Sequence, residues 1–203
     1  MAELISNERV DDIPLLLSQM QTVGLSELLD EHFKPHGNWK GLSLGKVVSG
    51  WLSYILSQGD HRLNQVEDWA RELSTTLQVC VDPALRPLDF SDDHLSRVLD
   101  ELSEDLKWEC FEGALNSRTV RVYDLKVETI RIDTTTASSY REPTPAGLFQ
   151  FGHSKDYRPD LPQVKISQAA LDPLGMPVST TVVSGNRDRK STRLNSSHTV
   201  ISY

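Results

Sequence analysis

The chain has 203 residues, 38 % of them hydrophobic and 25 % charged, which fits a folded soluble polypeptide and excludes wholesale disorder. With 21 Lys and Arg against 29 Asp and Glu the net charge is −8, and the two cysteines are too few for a disulfide scaffold. The N-terminus lacks a basic start followed by an apolar core, and the longest uncharged apolar stretch, residues 47–59, falls short of the about 20 residues that span a bilayer. A cytoplasmic protein is expected.

In chain order, the first 117 residues read as helical. Ile13, Leu16, Leu17 and Met20 recur at steps of three and four, and a break follows at Val23 and Gly24. Leu25, Leu28, Leu29 and Phe33 repeat the stripe until Pro35 and Gly37 stop it. Leu44, Val47, Val48, Trp51 and Ile55 line one helical face that ends at Gly59, and Leu63, Val66, Trp69, Ala70, Leu73 and Leu77 line the next. Trp51 and Trp69 therefore read as core. Ser91 is placed to cap a helix whose first turn carries Asp92 and Asp93 and whose buried stripe is Leu95, Val98, Leu99 and Leu102. Residues 106–115 give one more helix. Cys80 and Cys110 lack the close spacing of a zinc motif and are read as buried thiols.

Near Arg118 the pattern changes. Residues 119–138 are rich in Val, Ile and Thr and read as strand. Residues 141–162 are irregular. Residues 163–171 and 177–183 flank the turn sequence Leu171-Asp172-Pro173-Leu174-Gly175 and form a predicted β-hairpin, with Val164 and Ile166 alternating against Lys165 and Ser167. From Lys190 the chain is Ser/Thr-rich and aperiodic, which reads as a flexible tail. Charge follows the same division. Residues 1–117 hold 21 acidic and 9 basic side chains, and residues 118–203 hold 8 acidic and 12 basic, so a polyanion would be met by the second part.

Two segments offer chemistry. In Arg131–Tyr140, RIDTTTASSY, Asp133 is read at the end of an apolar strand, a rigid and accessible place for a metal-binding carboxylate, or for a simple turn cap. In Phe149–Lys165, FQFGHSKDYRPDLPQVK, Lys155 and Arg158 could meet phosphates, with Gly152 allowing close backbone approach; the alternative is a loop whose charges pair with one another. His32 and His36 are separated by Pro35 and do not share a helical face. No Ser or Cys has a convincing His and carboxylate arrangement, and neither a P-loop nor GxGxxG is present.

The blocks DDIPLL, LLDEHF, HGNWKGLSLG, WLSYILSQGDHRLNQVEDWA, PLDFSDDHLSRVL, RVYDL, RIDTTTASSY, FGHSKDYRPDLPQVK and LDPLGMPVSTTVVSGN together resemble bacterial insertion-sequence transposases of the DDE type, in the IS-four superfamily. The resemblance implies an α+β protein with a helical N-terminal domain, residues 1–117, and the truncated start of a ribonuclease-H-like catalytic domain, residues 118–188. It implies that Asp133 is the first catalytic, metal-binding carboxylate, that Mg²⁺ is the cofactor, and that the activity is cutting and joining of transposon-end DNA. Lys155, Arg158 and His153 become candidate DNA contacts. A homodimer on DNA is implied, in a bacterial cytoplasm and on the nucleoid when DNA-bound, with neither membrane nor small-molecule substrate. Asp188 does not match the second Asp of such proteins, and residues 189–203 resemble a translated contaminant and read as foreign. The chain then reads as an N-terminal fragment, inactive alone; the alternative is a non-catalytic module that binds DNA or transposase as an inhibitor.

Overall fold

The computed structural model describes residues 7–35, 37, 39–155 and 157–187, so His36, Asp156, Asp188 and the proposed foreign tail lie outside the described residues. The architecture is α+β, and the chain divides into two compact units, Met1–Arg118 and Thr119–Tyr203.

The first unit is helical because its apolar stripes find one another. Helices α1 (Ile13–Thr22) and α2 (Leu25–His32) are separated by Gly24, which takes a left-handed φ of 65°. Ile13, Leu17, Met20, Leu25, Leu28, Leu29 and Phe33 are all buried, as the periodicity predicts. Helix α3 (Leu44–Gln58) starts on Ser43, whose hydroxyl accepts from the Lys46 N–H, and on Asp30, whose carboxylate accepts from the Gly45 N–H at 2.7 Å. These acceptors satisfy N–H groups that a helix start leaves unpaired. Gly45 lets α3 lie against α2: a Cβ there would run into the Ser26 carbonyl. Leu44, Val47, Trp51 and Tyr54 are buried beneath it.

The next predicted helix is broken into three pieces: a 3₁₀ turn at Leu63–Gln65, α4 (Val66–Glu72) and α5 (Ser74–Cys80). Ser74, Thr75 and Thr76 compete with the helix ladder at the break. The Glu8 carboxylate crosses to accept N–H bonds from Thr75 at 2.9 Å and Thr76 at 2.7 Å, capping α5 from a distance. A further 3₁₀ turn, Pro87–Phe90, leads to α6 (Asp92–Leu102). Ser91 sits at the cap position there, but its hydroxyl makes no capping bond. Leu95 and Val98 are buried, whereas Leu99 is 46 % exposed, so the predicted stripe is one residue too wide.

Helix α7 runs over Asp105–Val122, longer at both ends than expected. Residues 119–122, expected as strand, are its last turn: extending an existing helix adds one bond per residue fixed, which outweighs the weak β preference of Thr and Val. Phe111 anchors the helix through edge contacts with Phe33, ring centroids 5.6 Å apart. Cys110 is exposed and Cys80 half-buried, which corrects the reading of both as buried thiols.

The second unit holds one antiparallel sheet in the order β1-β2-β3, with β1 at Ile130–Ser138, β2 at Gln163–Leu171 and β3 at Met176–Ser184. The predicted hairpin is present as β2 and β3, joined by the predicted turn with Gly175 at φ 66°. In β1 the register opposes Asp133 to Gln168 and Thr134 to Ser167. Asp133 therefore lies within the strand, not at its end as the sequence suggested. The alternation of β2 holds only in part: Val164 is buried as expected, but Gln163, Lys165 and Ser167 are buried too and Ile166 is half-buried, because β2 is the central strand and both its faces compete for cover. Among the described residues no helix is long and apolar enough to cross a membrane.

Candidate functional site

Strand β1 is an edge strand, and its backbone alternates between its neighbour and the open side. The Asp172 N–H bonds to the Thr129 carbonyl and the Ser139 N–H bonds to the Pro162 carbonyl, so odd-numbered residues bond toward β2. Even-numbered residues, Thr134 and Thr136 among them, face the edge. Asp133 carries its carboxylate beside that edge, with the side chain 87 % exposed. Its Oδ1 accepts the Thr134 N–H at 2.7 Å, which caps one edge N–H group with a charge-assisted bond.

The same oxygen lies 3.3 Å from the Lys155 ammonium. Lys155 comes from the irregular segment between β1 and β2, and its own N–H reaches the Thr136 hydroxyl at 3.4 Å. The neighbouring Ser154 is buried. Gly152 packs backbone to backbone against Gly185, where a Cβ would meet the Gly185 carbonyl. The sequence suggested that Gly152 lets a phosphate approach; the structure gives the space to the chain itself. Two of the singled-out residues, Asp133 and Lys155, are thus brought together. Arg158 is paired instead with Asp160, which accepts from its Nε and Nη2, each at 2.9 Å. That bonding raises the Arg158 pKa further and holds the Asp160 carboxyl below the usual range. His153 is exposed in the same segment.

Whether these residues suit a pair of divalent metals is decided by the donor set. Among the described residues no three His, Cys, Asp or Glu side chains gather into a metal-binding group. The described residues therefore do not by themselves assemble three carboxylates for a two-metal site, and a lysine neighbours Asp133.

Strongly perturbed groups elsewhere are structural. Burial pushes the Tyr54 phenol up to about 12, aided by its bond to Asp60. Burial acts to raise the Glu8 pKa, but the bonds from Thr76 and Thr75 together outweigh it and hold the carboxyl at about 2. Sequence reasoning missed the buried polar row of β2. Gln163 is wholly buried and its side-chain amide finds no partner among the described residues, while the Lys165 ammonium donates to the Arg187 carbonyl. Strict alternation placed Lys165 outward, and nothing short of the strand's central position reveals otherwise.

Among the described residues, six of the 9 Lys and Arg of residues 1–117 pair with carboxylates of the helical unit: Arg9, Lys46, Arg62, Arg71, Arg86 and Lys107. Comparison with curated proteins and with solved structures gave no match. One family does match, over residues 5–113, more than half of the chain and nearly all of the helical unit: the chain belongs to the family described as Domain of unknown function (DUF4277).

Proposed function

We propose that this chain is a nucleic-acid-binding part of a DDE-type transposase, in which Asp133 is the first of the catalytic carboxylates and Lys155 the nearest phosphate-binding side chain. The single observation that carries the reading is the exposed Asp133 carboxylate held in a rigid strand with Lys155 at 3.3 Å. The Lys155 ammonium beside this open sheet edge can meet a phosphodiester, and the exposed carboxylate next to it can take a cation, which an apolar or neutral ligand would not use. The ribonuclease-H-like assignment of the sheet rests on the sequence resemblance, and the antiparallel order β1-β2-β3 is compatible with it. Mg²⁺ as cofactor, transposon ends as target, a homodimer on DNA and a place on the bacterial nucleoid follow from the same resemblance.

One carboxylate does not hold two metals, so no cleavage step is assigned to the described residues. The proposed activity of this chain alone is binding without strand transfer. That incomplete donor set also favours a second reading, a non-catalytic module that occupies DNA or transposase and inhibits. The test is to incubate purified protein with supercoiled plasmid and Mg²⁺, and separately to measure duplex binding at low salt. Salt-sensitive binding without nicking is expected. No binding at low salt removes the nucleic-acid reading. Nicking that disappears in Asp133→Asn overturns the claim that this chain lacks cleavage.

A further inference from the structure

Among the described residues of the second unit, three basic side chains have carboxylate partners: Arg131 with Asp172 at 2.9 Å, Arg158 with Asp160 at 2.9 Å, and Lys155 with Asp133 at 3.3 Å. The pairs are not equivalent. Arg158 presents a planar fork to its carboxylate and bonds it through two nitrogens. Lys155 makes one longer contact through a compact ammonium on a flexible stem, and both partners reach solvent, 35 % and 87 % exposed. Its backbone is fixed, however: the N–H bonds to Thr136, Ser154 is buried next to it, and Gly152 is packed against Gly185. The ammonium therefore pivots from an anchored base, and when it leaves, Asp133 keeps the Thr134 N–H as a donor.

An exposed ion pair is weak, and nucleic acid presents a dense row of competing anions. We infer that Lys155 exchanges partners at this site: it pairs with Asp133 in the free chain and moves to a phosphodiester when nucleic acid binds, removing its positive charge from beside the already exposed Asp133 carboxylate. Lys155 is then a positioning residue that ties the breaking of this ion pair to the presence of a phosphodiester. This rests on the nucleic-acid reading above.

The exchange predicts something unusual: removing the carboxylate strengthens binding, and does so through the lysine. A short duplex of arbitrary sequence is titrated against wild type, Asp133→Asn, Lys155→Met and the double variant over a range of salt. Both side chains reach solvent, so the substitutions leave packing intact. Asp133→Asn binds more tightly than wild type by up to about fivefold, the worth of an exposed ion pair. The gain shrinks in the Lys155→Met background, because the coupling is then gone. Lys155→Met binds more weakly, and its slope of log affinity against log salt falls by about one. An equal gain from Asp133→Asn with and without Lys155, or an unchanged salt slope in Lys155→Met, overturns the exchange and leaves the nucleic-acid reading standing. Failure of all four proteins to bind at low salt overturns that reading itself.

Discussion

Glu8 shows how far one side chain acts in this fold. It lies outside every helix, yet its carboxylate caps α5 through the N–H groups of Thr75 and Thr76. Its pKa is lowered from the ordinary 4.5 to about 2, so its contribution to stability is complete above about pH 4.5 and is lost as the pH falls toward 2. Glu8→Ala is expected to cost about 1 kcal/mol at neutral pH, the usual worth of a helix cap. Urea titrations at pH 7 and pH 2 check this: the two proteins differ at the first, and the difference is much smaller at the second. Gly45 is the other residue on which packing turns. A methyl group at Gly45 meets the Ser26 carbonyl, a backbone atom with nowhere to move, so Gly45→Ala is expected to destabilise by about 1–3 kcal/mol. Denaturant midpoints measure it directly.

At the scale of elements, the helices were legible and the strands only partly so. Stripes such as Leu25, Leu28, Leu29 and Phe33 bury themselves as the 3.6-residue period requires, because a helix face has one side to hide. The end of α7 was not legible, since local β preference says nothing about a helix already propagating from Phe111. The Glu8 cap was invisible because it joins residues far apart in sequence. At the candidate site Asp133 and Lys155 stand out as residue types in suggestive segments. Their pairing is a product of how the segment before β2 returns to the edge of β1. The hidden row of β2 was misread for a related reason: in a central strand neither face is assured of being the inside. That row includes the Thr134 to Ser167 hydroxyl bond at 2.8 Å, and Ser167 is buried. Thr134→Val removes this partner from a buried hydroxyl and is expected to cost about 1 kcal/mol, read from the thermal midpoint.

Across the molecule, apolar burial is uneven. The connected core runs from Ile13 to Phe111 within the helical unit, whereas the buried apolar side chains among the described residues of the second unit are Val164, Ala169, Leu171 and Val183. A fragment of residues 1–122 is therefore expected to unfold cooperatively by itself, and a fragment of residues 123–187 to show no cooperative transition by circular dichroism. Charge is uneven as well. Residues 1–117 carry 9 basic and 21 acidic side chains, while residues 118–187 carry 9 basic and 7 acidic, so a polyanion meets less negative charge on the second part.

The measurement that bears most directly on this account is hydrogen exchange of the full chain with and without a short duplex at low salt. Slowed exchange is expected at Ile130–Ser138 and across residues 148–160, with residues 13–102 unchanged. Slowed exchange confined to the helical unit, or none anywhere, would contradict it.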